Sequence, residues 1–237
     1  MKIAVVLHLY YIDLWDEFCN GLKKFNGIEF DLYVSLTIGS TSSHELDLIR
    51  TQISKEFPRT QFYILENKGL DVGSFLIILK SMIQNEKEYD YILKLHSKKS
   101  VKSCGPIRGD SWRKQLCEPL FHNIENILTF FSRNNNVGMI GSKAHLYNIE
   151  GTNAILICQL KDLLGITTEQ KAFIGGTMFW IKYSILTHYL TVERIQKIYD
   201  LLEEGYFIDL HQGKFTHAME RVFGYMVLDN NHLIAGA

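Results

Sequence analysis

The chain has 237 residues, of which 46% are hydrophobic and 22% charged, and its formal net charge at pH 7 is −1. This composition is typical of a globular protein with a sizeable core. The balanced charge argues against bulk attraction to nucleic acid or to an anionic membrane. The longest apolar runs, Ile3 to Leu7 and Phe75 to Leu79, are far shorter than the ~20 residues of a transmembrane helix.

Cysteine and histidine usage argues against structural disulfides and against a zinc site. The four cysteines form no Cys-x-x-Cys motif and the nine histidines form no His-Glu-x-x-His motif. We therefore expect free thiols in a reducing cytoplasm and no dedicated zinc site.

Strand and helix patterns alternate through the first hundred residues. The predicted strands are Ile3 to Leu9, Phe30 to Thr37, Thr60 to Leu65 and Tyr89 to Leu95. The predicted helices are Leu14 to Phe25 with Asp13 as N-cap, a second that ends near Phe57, and Phe75 to Ile83. This alternation predicts an α/β fold with a mostly parallel central sheet flanked by helices. Because no linker or repeat interrupts it, residues 1–237 are predicted to form a single domain.

The pattern is less regular beyond residue 100. It predicts helices at Trp112 to Leu116, His122 to Phe131, Val192 to Glu203 and Phe215 to Val227, and strands at Val137 to Gly141 and Phe173 to Ile181. Ala154 to Leu164 fits a helix, although its apolar run also fits a strand. Asn230 to Ala237 is expected to be a short tail.

A basic loop follows the predicted strand at Tyr89 to Leu95. The residues are His96, Ser97, Lys98, Lys99 and Ser100. Ligands of open α/β sheets bind just beyond the carboxyl ends of the strands, so these cations and hydroxyls indicate an anion site, most simply for phosphate. The alternative is a solvated loop that happens to be basic.

A second candidate loop joins the third strand to its helix. Gly69 and Gly73 would let the backbone approach a ligand closely, and the helix N-terminus offers free N–H donors. Asn67 and Asp71 add polar side chains. The alternative is a tight turn with Asp71 as the helix N-cap, and both interpretations can hold together.

Paired glycines open the predicted strand Phe173 to Ile181, which suggests a bulge or a close approach to the backbone. We favour a binding function for Gly176 and Thr177, with Trp180 or Phe179 as a stacking face for a sugar ring. A packed core strand is the better interpretation for Met178 and Phe179.

In the last predicted helix, His217 and Glu220 share one face, with Arg221 one turn beyond His217. A histidine and a carboxylate so placed can be a general base and its partner. A surface salt bridge of little consequence is the more frequent outcome.

Six segments together resemble the rhamnan synthesis protein F family of bacterial polysaccharide glycosyltransferases. They are Val5 to Tyr11 with Asp13 and Trp15, Phe30 to Val34, Glu66 to Gly73, Leu93 to Ser100, Gly176 to Trp180, and His217 to Gly224. Two positions depart from the family pattern: Lys68 stands where it has arginine, and Leu70 where it has a basic residue.

The resemblance implies a GT-A-like (Rossmann-like) fold, with residues 1–100 as the nucleotide-sugar-binding half and 101–237 as the acceptor and catalytic half. It implies an inverting rhamnosyltransferase that uses dTDP-rhamnose and a lipid-linked cell-wall or O-antigen (lipopolysaccharide) glycan as acceptor. The expected location is the cytoplasm or the inner face of the plasma membrane, in contact with other polysaccharide-assembly enzymes and with no nucleic-acid partner. The alternative is a catalytically silent scaffold that binds a glycan or a nucleotide sugar.

On this resemblance we assign residues to three roles. The donor-binding residues would be His8, Tyr10, Asp13, Asn67, Gly69, Asp71, His96, Lys98 and Lys99. The acceptor-binding residues would be Gly176, Thr177 and Trp180. The catalytic residues would be Glu220 as general base, Asp209 as the second choice, and His217 as a residue that orients the base or contacts the acceptor. Glu203 and Glu204 are instead placed on a solvated helix face.

The position of the metal-binding Asp-x-Asp motif of most GT-A enzymes is occupied here by His96, Ser97 and Lys98. Cations in place of carboxylates predict that the protein itself neutralises the diphosphate. We therefore expect no cofactor and metal-independent transfer, with Mg²⁺ or Mn²⁺ as the alternative.

Overall fold

The chain folds into alternating strands and helices. The structure is a computed structural model that describes residues 1–99, 109–148, 153–205 and 213–237. The strands are β1 Ile3–His8, β2 Asp31–Thr37, β3 Gln61–Leu65, β4 Tyr91–His96, β5 Val137–Gly141, β6 Leu146–Tyr147, β7 Phe173–Ile174, β8 Phe179–Lys182 and β9 Leu233–Gly236. The helices are α1 Trp15–Lys23, α2 Ser43–Glu56, α3 Leu70–Gln84, α4 Gly109–His122, α5 Ile124–Arg133, α6 Ala154–Leu164, α7 Tyr183–Tyr189, α8 Val192–Leu201 and α9 Phe215–Asp229.

Within the described residues, seven strands form one sheet in the order β3-β2-β1-β4-β8-β5-β9. The strands β1 to β4 are parallel, β8 is antiparallel to both β4 and β5, and β9 is parallel to β5. The carboxyl ends of β1 to β5 and β9 therefore lie at the same edge of the sheet. The predicted fold class, a single domain with a mostly parallel sheet flanked by helices, is confirmed.

Two apolar layers cover the faces of the sheet. In β1, Ala4 and Val6 pack into one layer together with residues of α3 and α9. The intervening Val5 and Leu7 pack into the other layer, with residues of α1, α4 and α5. Every residue of β1 is buried, which explains why this strand is apolar throughout and does not alternate with polar residues.

The expectations for Asp13 and for the C-terminal tail are wrong. Asp13 does not cap the first helix, because it lies in a short 3-10 turn at Ile12–Leu14 and Leu14 is the N-cap of α1. The tail after Asn230 is not irregular, because β9 pairs with β5 and forms one edge of the sheet.

The predicted strand Phe173 to Ile181 is two short strands separated by a turn. β7 pairs with β6 in a small two-stranded antiparallel sheet, whereas β8 enters the main sheet between β4 and β5. The turn holds Gly176 and Thr177, both with positive φ angles of 85° and 50°. A strand cannot continue through that backbone conformation.

In the parts of the chain that the structure describes, no helix combines the length and the apolar character needed to cross a membrane.

Candidate functional site

Two adjoining cavities of about 190 and 340 Å³ lie at the sheet edge where the parallel strands end. The residues that line the first cavity and not the second are His8, Tyr10, Tyr11, Asn67, Ser97 and Lys99. The residues that line the second cavity and not the first include Trp112, Tyr147, Phe173, Gly176, Thr177, Glu220 and Arg221. Leu70, Asp71, His96, Lys98 and His217 line both. The two cavities therefore form one continuous cleft.

A buried ion pair lies at this cleft. Lys94, with a side chain 1% exposed, places Nζ 2.5 Å from Asp71 Oδ2 and also donates to Thr177 O at 3.0 Å. The Thr177 hydroxyl donates to the same Asp71 oxygen at 2.5 Å. Burial opposes ionisation of Asp71, but His96 and Lys94, with the hydrogen bonds from Lys94 and Thr177, hold its pKa well below the usual range. Loss of one partner of such a pair typically costs about 3–5 kcal/mol.

His8 and His96 are neighbours across the β1–β4 pairing, and both are buried. Burial lowers the pKa of His96 to about 4 and the pKa of His8 to about 3. His96 Nε2 lies 2.7 Å from the carbonyl oxygen of Gly176, so this nitrogen is the protonated one. The expectation that His96 supplies a positive charge to an anion site is wrong, because its imidazole is neutral at pH 7.

The two buried histidines should make the protein sensitive to mild acid. In the unfolded chain each takes up a proton near its ordinary value of 6.5, whereas the folded chain does so only near 4 or 3. The contribution of the two neutral histidines to the free energy of unfolding is therefore fully present above about pH 6.5. It is lost as the pH drops toward 4. The expected slope is about 1.4 kcal/mol per pH unit for each histidine. Urea denaturation between pH 7 and pH 4.5 measures this slope.

His96→Gln should remove about half of the slope, since glutamine can still donate an N–H to Gly176 O but does not titrate. His44→Gln, at an exposed position of α2, is the control and should leave the slope unchanged. An unaltered slope in His96→Gln would contradict the buried neutral state of this histidine.

Lys98 supplies the cation that borders both cavities. Its Nζ lies 3.8 Å from the centroid of the Trp112 ring. Burial lowers the pKa of Lys98, opposed by the carboxylates of Asp71 and Glu220 and assisted by Lys94. Lys99 lines only the first cavity and is paired with Asp13. Lys98 is therefore the basic-loop residue best placed to contact an anion shared by the two cavities.

Glu220 projects from α9 into the second cavity, with its side chain 16% exposed. Its Oε1 accepts a hydrogen bond of 2.5 Å from the backbone N–H of Gly176. Its Oε2 lies 3.4 Å from Arg221 Nη1. One oxygen is thus held by the turn between β7 and β8, and the other is engaged, among the described residues, by this long contact.

The N-terminus of α9 is fixed by a carboxylate from outside the helix. Glu203 accepts hydrogen bonds from Phe215 N at 2.6 Å, Thr216 N at 3.1 Å and the Thr216 hydroxyl at 2.8 Å. The expectation of a solvated role for Glu203 is wrong. This carboxylate satisfies N–H groups that have no partner within the helix. Its negative charge also interacts favourably with the positive end of the helix dipole.

Trp180 does not line the cleft. It is 0% exposed, lies in the apolar layer that contains α4, and donates its Nε1–H to Leu120 O at 3.2 Å. The expectation that Trp180 offers a ring face to a sugar is therefore wrong. Trp112 and Tyr147 line the second cavity instead, and Tyr147 is 46% exposed. The sequence held no periodic signal for Tyr147, since β6 has only two residues.

The loop before α3 has a packing role in addition to its place beside the cleft. Gly69, with φ +67°, is the N-cap of α3, so the alternative of Asp71 as the cap is wrong. Gly69 N donates to Glu203 O at 2.7 Å. A Cβ on Gly69 would lie 2.3 Å from a methyl carbon of Leu202. Gly69 therefore packs against the chain before α9 and does not line either cavity.

The structure brings most of the predicted site residues to the cleft. Those that line it are His8, Tyr10, Asn67, Asp71, His96, Lys98, Lys99, Gly176, Thr177, His217 and Glu220. Asp13, Gly69 and Trp180 do not line it, and Asp209 lies outside the described residues. What was missed is the aromatic side of the second cavity and the buried Lys94.

The position of the Asp-x-Asp motif does not fit a divalent cation. Mg²⁺ takes oxygen ligands, above all carboxylates, but His96 Nε2 is bonded to Gly176 O and Lys98 carries a positive charge. Ser97 Oγ accepts a hydrogen bond of 2.8 Å from Tyr11 N. Across the described residue ranges, no three His, Cys, Asp or Glu side chains are grouped as metal ligands.

An α/β sheet with a polar cleft at the carboxyl ends of its strands is characteristic of proteins that bind nucleotides or other small anionic ligands. The sequence profile of the rhamnan synthesis protein F family matches residues 1–232. The chain therefore belongs to this family.

Two solved structures are weakly similar to this chain. A crystal structure of Staphylococcus aureus TarS, residues 1–349, is similar with a TM-score of 0.44 and 13% identity over 93% of this chain. The chain spans 55% of that structure. A mycobacterial protein is similar with a TM-score of 0.43 and 13% identity over 98% of this chain and 75% of that one. No curated protein sequence matches significantly.

Proposed function

We propose that the protein is an inverting rhamnosyltransferase that moves rhamnose from dTDP-rhamnose to a lipid-linked cell-wall or O-antigen glycan. The observation that carries this proposal is the continuous cleft in which a cation, Lys98, and a carboxylate, Glu220, border the same space. A transferase needs both: positive charge at the leaving diphosphate and a base at the attacking hydroxyl.

The first cavity is the proposed donor site. Its polar groups follow β1, β3 and β4, the edge at which α/β proteins hold nucleotides. Tyr10 and Tyr11 provide ring surfaces there, and Asn67 Oδ1 is buried with no hydrogen-bond partner in the described parts of the chain. An N–H or O–H of the nucleoside would satisfy that oxygen after a small rotation of the amide. An unsatisfied buried acceptor costs about 1–3 kcal/mol, so the contact would favour binding.

The second cavity is the proposed acceptor site. Tyr147 and Phe173 offer apolar ring surface, and Glu220 and Arg221 offer polar atoms. In the proposed reaction Glu220 Oε2 removes the proton of an acceptor hydroxyl as its oxygen attacks C1 of the donor sugar. The bond between C1 and the diphosphate breaks on the opposite side, and the diphosphate leaves with its negative charge beside Lys98.

The proposed setting is the cytoplasmic face of the plasma membrane, with a lipid-linked acceptor and other polysaccharide-assembly enzymes as partners. The net charge of −1 gives no general attraction to anionic lipid. Membrane contact would therefore come from the acceptor or from those partners, and no nucleic acid is expected to bind.

Thermal stability in the presence of nucleotide sugars tests this proposal. The panel is dTDP-rhamnose, UDP- and GDP-sugars, and the matching free nucleotides. The preferred donor should stabilise the fold by about 2.7 kcal/mol at 100 times its dissociation constant. Hydrolysis of the stabilising sugar nucleotide then separates an enzyme from a silent scaffold, which would bind without turnover. If no member of the panel changes the melting temperature, the proposal fails.

A further inference from the structure

The turn between β7 and β8 is held by four side chains that come from β4, α3 and α9. The contacts are His96 Nε2 to Gly176 O (2.7 Å), Gly176 N to Glu220 Oε1 (2.5 Å), Lys94 Nζ to Thr177 O (3.0 Å) and Thr177 Oγ1 to Asp71 Oδ2 (2.5 Å). Both backbone polar groups of Gly176 are therefore bonded to side chains, as are the carbonyl and the hydroxyl of Thr177.

The backbone of this turn is strained. Thr177 has a φ of +50°, which is a true outlier for a β-branched residue. Such a conformation persists only where the surroundings enforce it, and residues of this kind cluster at functional sites. Gly176 precedes it with φ +85°, and a Cβ there would lie 2.6 Å from Leu116 Cδ1. Lys94 and Asp71 bond to the carbonyl and the hydroxyl of Thr177, so they are placed to hold it in this conformation.

The partners of Asp71 argue for a structural task beside the cleft. Its Oδ2 already accepts from Lys94 and Thr177, so this oxygen is satisfied without a ligand. The side chain of Lys94 is almost wholly buried and cannot reach a substrate. Both residues fix the position of Thr177, and through the backbone of Gly176 they affect the position of the Gly176 N–H that binds Glu220.

We infer that Asp71 and Lys94 are positioning residues, which hold the Gly176–Thr177 turn so that Gly176 N–H fixes Glu220 Oε1 and aims the carboxylate at the acceptor. The inference rests on the proposed function, since it assumes that Glu220 is the base. It differs from a role of Asp71 in binding the donor, because a positioning residue affects turnover while donor affinity stays the same.

Three substitutions separate these roles. Thr177→Val keeps the side-chain shape but removes the hydroxyl, so kcat should fall at least about tenfold, because small misplacements of reacting groups have large effects. Thr177→Ser keeps the hydroxyl and should retain most of kcat. Asp71→Asn should lower kcat in the same way with the donor Kd unchanged. Thr187→Val is the control, since it removes a hydroxyl that donates to backbone carbonyls within α7.

A spectroscopic measurement reports on the turn without any activity assay. Gly175 and Gly176 are the sole Gly-Gly pair in the sequence. In protein made by cell-free synthesis with glycine labelled at its carbonyl carbon and nitrogen, only the Gly176 amide follows a labelled carbonyl. A carbonyl-selected amide spectrum therefore contains one peak. Its proton should lie downfield, as expected for a short hydrogen bond to a carboxylate, and should move upfield in Thr177→Val but not in Thr177→Ser.

An unchanged Gly176 amide peak and a normal kcat in Thr177→Val would overturn the inference. A weakened donor Kd in Asp71→Asn with normal kcat would also overturn it, in favour of direct donor contact. If the wild-type protein binds no nucleotide sugar, the proposed function fails. The Gly176 peak then decides on its own whether Asp71 and Thr177 hold the turn.

Discussion

Glu220→Gln is expected to lower the rate of sugar transfer about 100-fold or more while leaving donor affinity nearly unchanged. Glutamine can still accept the hydrogen bond from Gly176 N through its amide oxygen, so the turn between β7 and β8 should keep its geometry. What is lost is the ability to take a proton from the acceptor hydroxyl. Single-turnover kinetics with the preferred donor, together with the donor Kd from calorimetry, measure the two quantities.

Glu193→Gln, at an exposed position of α8, is the matched control and should transfer sugar at the normal rate. Asp209→Asn is the informative competitor, since Asp209 is the second candidate for the base. Near-normal turnover of Glu220→Gln beside an inactive Asp209→Asn would transfer the role of base to Asp209.

Lys98→Ala is expected to lower turnover about 100-fold or more, because stabilisation of the charge that develops in the transition state is commonly the largest catalytic contribution. The wild-type protein should remain active in excess EDTA, since in the proposed function Lys98 itself would neutralise the leaving diphosphate. Lys114→Ala removes a charge from the exposed surface of α4 and serves as the control. Initial rates with and without chelator, in wild type and both variants, provide the measurement.

The same residue predicts a pH effect. Because burial lowers the pKa of Lys98, its charge should be lost at a lower pH than that of an ordinary lysine. As the pH is raised, donor affinity of the wild type should therefore begin to decrease before pH 10.5 is reached. This decrease at alkaline pH should be absent in Lys98→Ala. Complete loss of activity in EDTA, with recovery on addition of Mg²⁺ or Mn²⁺, would contradict the proposed role of Lys98.

The course of the chain through the sheet could be predicted because local patterns determine it. The alternation of apolar strands and amphipathic helices indicated a parallel sheet, and β5 and α6 have the predicted bounds. Parallel topology then implied that the residues after β1, β3 and β4 meet at one edge, and the first cavity lies there.

Contacts between distant segments could not be predicted from those patterns. The lowered pKa of His96 depends first on burial, which the later segments of the chain provide, and its Nε2 bonds to a carbonyl 80 residues away. The role of Glu203 depends on a helix that begins 12 residues later. Trp180 and Trp112 are equally aromatic in the sequence, and only the packing of α4 against the sheet buries one and places the other at the cleft.

The insertion of β8 between β4 and β5 affects how the protein can be made. Until the ribosome has released residues 179–182, the side of β4 that faces away from β1 has no partner strand. An unpaired apolar edge of this kind recruits other chains, and exposed edges are a common cause of aggregation during folding. Residues 1–99 supply most of the lining of the first cavity, yet on their own they leave this edge of β4 unpaired. Residues 1–99 are therefore expected to depend on the later residues for their solubility, and a nascent chain stalled before β8 is expected to be a substrate for chaperones.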